Sequence, residues 1–114
     1  MRAWKWLAAL GLLGVLACTS PTLPLPPPIA PTVSTGPTPD TVRLTAGMGG
    51  AEPNALIIVV NRNTDIPRDK RVAGTIADPQ GAWDLEITAH PKDVLDISQE
   101  LGTTGSQGTT IVVP

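Results

Sequence analysis

Few side chains in this 114-residue chain can do chemistry, and the first of them, Cys18, is its only cysteine. A lone thiol forms no intrachain disulfide; what remains for it is metal ligation, nucleophilic catalysis or covalent modification. Zinc needs several Cys or His ligands, and an activated thiol needs a neighbouring base. The one histidine, His90, precedes Pro91 in a turn-forming sequence, where a surface position is expected. Beyond residue 40 the serines are Ser98 and Ser106, neither of them in a strand–turn–helix elbow that would expose a nucleophile. Gly47-Met48-Gly49-Gly50 lacks the Lys-Ser/Thr of a phosphate loop. Asp65, Asp69, Asp93 and Asp96 could offer oxygens to calcium, but their spacing is not that of a calcium loop. Arg62, Arg68, Lys70 and Arg71 could meet an anionic glycan, although the interleaved Asp65 and Asp69 favour a solvated rim. With no catalytic constellation, no metal site and no cofactor motif, the expectation is a chain that is not an enzyme.

Cys18 has a telling context. Arg2 and Lys5 supply a basic start, and Leu7 to Ala17 is an uncharged apolar run. A membrane-spanning helix needs roughly 20 apolar residues, so this run is too short to span and has the length of a signal-peptide core. The segment closes on Val15-Leu16-Ala17-Cys18. This ending resembles the lipobox of bacterial lipoprotein signal peptides, with Leu16 bulkier than the small residue usual there. The resemblance implies cleavage between Ala17 and Cys18, diacylglycerol in thioether linkage on Cys18, and acylation of the new amino terminus. More than one acyl chain is what stable membrane anchoring requires. Thr19, rather than Asp, follows the cysteine, which by the same resemblance implies the outer membrane of a Gram-negative cell. Residues 1–17 are therefore expected to be a signal peptide, with the membrane as partner through a covalent lipid.

Loss of residues 1–17 removes Arg2 and Lys5 and leaves six basic against ten acidic side chains, a net charge of -4. That balance argues against nucleic acid as a partner, because phosphate binding needs a basic face. Residues 18–39 follow as a tether: Thr19 to Pro39 carries eight of the thirteen prolines and no charge. Proline fixes φ and lacks a donor, so a polyproline II spacer is expected, at about 3.1 Å per residue and up to roughly 60 Å in reach.

The elements that remain to position any site lie in residues 40–114. No window shows a sustained helical stripe; short alternating runs are separated by turn residues, and an all-β domain follows. Six strands are expected, at 41–45, 55–61, 70–77, 82–89, 94–99 and 109–113. Glu52-Pro53-Asn54-Ala55 suits a type II turn, with Asn at the position that needs positive φ. Asp78-Pro79-Gln80-Gly81 suits a type I turn closed by a left-handed Gly, and predicts a hairpin between its flanking strands. Trp83, the only aromatic residue past the apolar start, alternates in phase with Leu85 and Ile87 and is expected in the core. Such burial removes the exposed aromatic platform that carbohydrate modules usually present.

These segments resemble two related families of small β-sandwich. Glu52-Pro53-Asn54-Ala55 before an apolar strand, Ala77-Asp78-Pro79-Gln80-Gly81-Ala82-Trp83, and Asp93-Val94-Leu95-Asp96-Ile97 are similar in order and spacing to motifs of bacterial Ig-like domains. Carboxypeptidase-regulatory-like domains share the texture. The resemblance covers residues 41–113 and implies an antiparallel Ig-like sandwich of about 6–7 strands. Leu56, Ile58 and Val60 depart from it, standing where the family places Thr or Ser on the solvent face. The tether, a loop or the first strand could cover them; otherwise they form a contact surface for an envelope protein or a neighbouring copy. A lipid-anchored domain in a structural or interaction role is expected, the alternative being a surface module that binds glycan or calcium.

Overall fold

Alternation such as that of Trp83-Asp84-Leu85-Glu86-Ile87 needs a sheet with one dry face. The computed structural model describes residues 24–114, and they build two such sheets. The smaller has the order β1 (Thr32–Thr35), β2 (Thr41–Ala46), β5 (Trp83–Thr88). The larger runs β4 (Val72–Ile76), β3 (Leu56–Asn61), β6 (Val94–Leu101), with β7 (Thr104–Gly105) and β8 (Thr109–Val112) sharing the far side of β6. Every pairing among these strands is antiparallel. One helical turn, α1 (Arg68–Arg71), leads into β4. The described residues form an all-β antiparallel sandwich of eight strands; the two not expected are β1, inside the proline-rich stretch, and β7, only two residues long.

The core lies between the sheets. Leu44, Trp83, Leu85 and Ile87 of the smaller sheet face Ile57, Val59, Leu95 and Ile97 of the larger in one buried cluster. Fully burying a side chain of this kind stabilises by about 1.5–3 kcal/mol. Trp83 is 5 % exposed, as its phase with Leu85 and Ile87 requires, though its indole N–H finds no acceptor among the described protein groups.

The turn chemistry appears as the sequence spells it. Asn54 has φ 62° and the Ala55 amide donates to the Glu52 carbonyl at 3.1 Å. Gly81 has φ 81°, its amide donates to Asp78, and Asp78 Oδ1 accepts from the amides of Gln80 and Ala82. The expected hairpin is nevertheless an arch, because β4 and β5 belong to different sheets and do not pair. The Ala51 amide donates to the Gly81 carbonyl, and a side chain on Gly81 would sit 2.1 Å from the Ala51 carbonyl oxygen. That close approach pins the turn against the 47–51 loop at the end of the sandwich, so the chain crosses over instead of folding back.

Two further boundaries move. The strand expected from Lys70 begins at Val72, because Arg68–Arg71 coils into α1. The proline-rich stretch expected as tether to Pro39 joins the domain from Leu25. The Leu25 amide donates to Gly105, the Ile29 amide to Gly50, and Thr32–Thr35 pairs with β2 as an edge strand. Proline excludes a central strand but not an extended edge, and Thr32-Val33-Ser34-Thr35 lies between prolines rather than containing one.

Candidate functional site

β3 reads Leu-Ile-Ile-Val-Val-Asn, apolar at both parities. Successive side chains of a strand point to opposite faces, so one set enters the core and the other must find cover or remain wet. Ile57, Val59 and Asn61 are buried; Leu56 and Val60 are each 39 % exposed on the outer face, with Ile58 half-buried between them. The register with β4 extends this row: Leu56 lies beside Ile76, Ile58 beside Gly74 and Val60 beside Val72. Ile76 and Val72 are 68 % and 54 % exposed. On the other flank β6 sets Glu100, Ser98 and Asp96 beside the same three β3 residues. The result is an apolar patch with a polar border along β6 and an open border along the β4 edge.

Among the described residues, neither the proline-rich segment nor β1 covers this patch. Residues 25–29 run along the opposite edge, where Leu25 bridges to Ser106 and Thr109 Oγ1 donates to the Pro28 carbonyl. β1 adds to the smaller sheet. Leu56, Ile58 and Val60, expected to share a face, do so; Val72 and Ile76 join them without having been foreseen. Their signal is present in the sequence, since Val72-Ala73-Gly74-Thr75-Ile76 carries no polar residue at the parity of Val72. Only the register with β3 shows that this parity is the outer one.

The border is fixed by charge. Arg62 donates to Asp96 through Nε and an Nη at 2.6 and 2.8 Å, and Thr110 adds a third hydrogen bond. The Arg62 guanidinium holds the Asp96 carboxyl below its ordinary range, against its partial burial. On the smaller sheet Arg43 pairs with Asp84, with Glu86 also within reach.

The other candidate groups take structural places. Asp93 is buried and accepts from Asn61 Nδ2 at 3.0 Å, Asn63 Nδ2 at 2.9 Å and the His90 amide at 2.8 Å. Burial alone would raise its pKa; these hydrogen bonds outweigh it and hold the carboxyl below its ordinary value. With Asp96 engaged by Arg62, the four aspartates considered for calcium do not converge. Among the described residues no three His, Cys, Asp or Glu side chains group as a metal site. Arg62, considered for glycan, is committed to Asp96. His90 faces Asp40 at 3.7 Å beside a cleft of about 410 Å³ that also holds Thr38, Thr41 and Thr88. Ser106 Oγ accepts from the Gln99 amide. Gly47 to Gly50 is a turn closed by the Gly50 amide on the Gly47 carbonyl. Ala17 and Cys18, the expected cleavage and lipidation site, lie outside the described residues.

Gln99 is a site residue of another kind, missed in sequence because, flanked by Ser98 and Glu100, it reads as one of several polar residues closing a strand. Fully buried, it accepts from the Glu52 amide and donates to the Pro26 carbonyl, both at 2.7 Å, and so ties the proline-rich segment to the sandwich. No protein-family model, curated protein sequence or solved structure matches the chain.

Proposed function

We propose that this protein is a lipid-anchored, non-enzymatic β-sandwich of a bacterial envelope, held by Cys18 and acting through the outer face of its larger sheet. The observation that carries the anchoring is the lone cysteine directly after Ala17, at the end of an apolar run too short to span a bilayer. Thr19 after the cysteine supports the outer membrane as its place. An Ig-like module of the kind the turn motifs resemble suits a structural or protein-binding role, and an apolar patch centred on Leu56, Ile58 and Val60 supports protein as the partner. Trp83, the one aromatic side chain among the described residues, is buried and offers glycan no exposed platform.

The docking of Leu25 gives this reading a geometric consequence. Extended chain spans at most about 3.6 Å per residue, so the stretch from Cys18 to Leu25 reaches no more than about 25 Å. The lipidated domain would work close to its bilayer rather than at the end of a long stalk.

The test is metabolic labelling with palmitate in a bacterial host. Wild-type chain is expected to take up label and sediment with membranes, and Cys18→Ser to lose both. Unlabelled wild-type chain would overturn the anchoring. In the same cells, a photo-crosslinking residue in place of Leu56 is expected to capture an envelope protein reproducibly, whereas one in place of the exposed Met48 is not.

A further inference from the structure

We infer that β4 is a self-association edge, pairing antiparallel with β4 of a second copy about a two-fold axis at Gly74. A strand edge presents unpaired N–H and C=O groups, and proteins that remain monomeric blunt such edges with charge, proline, bulges or covering chain. Every other edge here is blunted. β1 lies between Pro31 and Pro37, β5 carries Asp84 and Glu86, and the β7–β8 side is lined by the proline-rich segment. β4, Val-Ala-Gly-Thr-Ile, has no charge and no proline, and its pairing with β3 runs without a bulge.

The backbone of β4 is already aimed outward at the right residues. The Ala77 amide donates to the Ala55 carbonyl at 2.8 Å, so in the alternation of an antiparallel ladder residues 77, 75 and 73 bond toward β3. Val72, Gly74 and Ile76 therefore turn their N–H and C=O groups away from β3, to the side where β5 passes close by without pairing, and these residues remain exposed. A two-fold axis at Gly74 pairs it with its own copy and sets Val72 of one chain opposite Ile76 of the other. The outward-facing backbone groups of all three residues are then exchanged.

This register also satisfies the side chains. Val72 and Ile76 meet across the axis on the outer face, continuing the rows already formed with Val60 and Leu56. Lys70, in the turn before one strand, comes to the end of the ladder where Asp78 of the other copy stands. A shift of two residues either way sets Gly74 against Val72 or Ile76 and separates those charges. Self-complementarity in face, hydrogen bonding and charge selects a second copy over an unrelated strand. The pairing rests on the fold alone and not on lipidation; it would join the two outer patches into one broader apolar face.

The test uses the full chain in detergent micelles. Sedimentation is expected to show a monomer–dimer equilibrium, with Ile76→Lys raising the dissociation constant more than about tenfold while thermal unfolding of the monomer is unchanged. In a Cys18→Ser background, Gly74→Cys chains are expected to form a covalent dimer on mild oxidation. A directly opposed, hydrogen-bonded pair brings Cα atoms to about 5.5 Å, within disulfide range. Chains with Val72→Cys are expected to crosslink with chains carrying Ile76→Cys, and Val112→Cys chains, exposed on the other border of the same sheet, to remain single. A monomer at every concentration would overturn the inference, as would equal crosslinking through Val112→Cys and Gly74→Cys.

Discussion

Asp93 shows how one buried carboxylate can hold together chain segments distant in sequence. It takes three hydrogen bonds, from β3 (Asn61), from the following loop (Asn63) and from the turn that precedes β6 (His90). All three partners are donors, so Asp93→Asn would aim an amide N–H at them; a loss of about 1–3 kcal/mol is expected in chemical denaturation. The linkage is of the usual carboxylate sign. The folded pKa lies below the ordinary 3.8, so this stability is present above about pH 4 and is lost as pH falls through the lower folded value. Acid unfolding should accordingly be shallower in Asp93→Asn than in wild type, and parallel profiles would count against the network. Trp83→Ala should cost roughly 3–5 kcal/mol by melting. Trp83→Phe should cost less than the Ala variant, because it leaves a smaller cavity and gives up only an indole N–H that has no acceptor among the described groups. The burial of Trp83 was legible from its phase with Leu85 and Ile87. The role of Asp93 was not, because two of its three partners, Asn61 and Asn63, lie about 30 positions upstream and no local pattern connects them to it.

The strands show which sequence signals survive folding. Alternation located β2, β5 and β6 closely, since a strand with one dry face must repeat every second residue, and an unbroken apolar run located β3. Turn chemistry placed Asn54 and Gly81 in positive φ, because few other residues accept that backbone. Neither signal could tell a hairpin from an arch: Asp78–Ala82 has the same local hydrogen bonds whether its flanking strands pair or part. The proline-rich segment is the converse case, chain without alternation that gains order from what it lies against. Gln99 supplies its buried side-chain attachment, and Gln99→Leu keeps the approximate volume while deleting the bonds to Pro26 and Glu52. Faster amide exchange at Leu25 and Ile29 is expected in that variant, with the β3 amides Ile57 and Val59 as protected as in wild type. Unchanged exchange at Leu25 would show that Gln99 does not contribute to the attachment.

At the scale of the molecule, the two sheets share one core and differ in what they show to solvent. The smaller turns Arg43, Asp84 and Glu86 outward, as an antiparallel sheet with one wet face normally does. The larger sheet turns out Leu56, Val60, Val72 and Ile76, and this asymmetry gives the molecule its candidate working surface. From the sequence alone came the all-β class, the positions of the main turns, the place of Trp83 and the doubly apolar nature of β3. These follow from local rules, periodicity and backbone preference, that each short segment obeys by itself. Only the tertiary structure decided that β4 extends the patch and ends it at a free edge, that β4 and β5 part into different sheets, and that the chain joins its domain at Leu25. Those outcomes depend on strand register and on contacts between segments tens of residues apart, where many arrangements satisfy the same local preferences and packing selects among them.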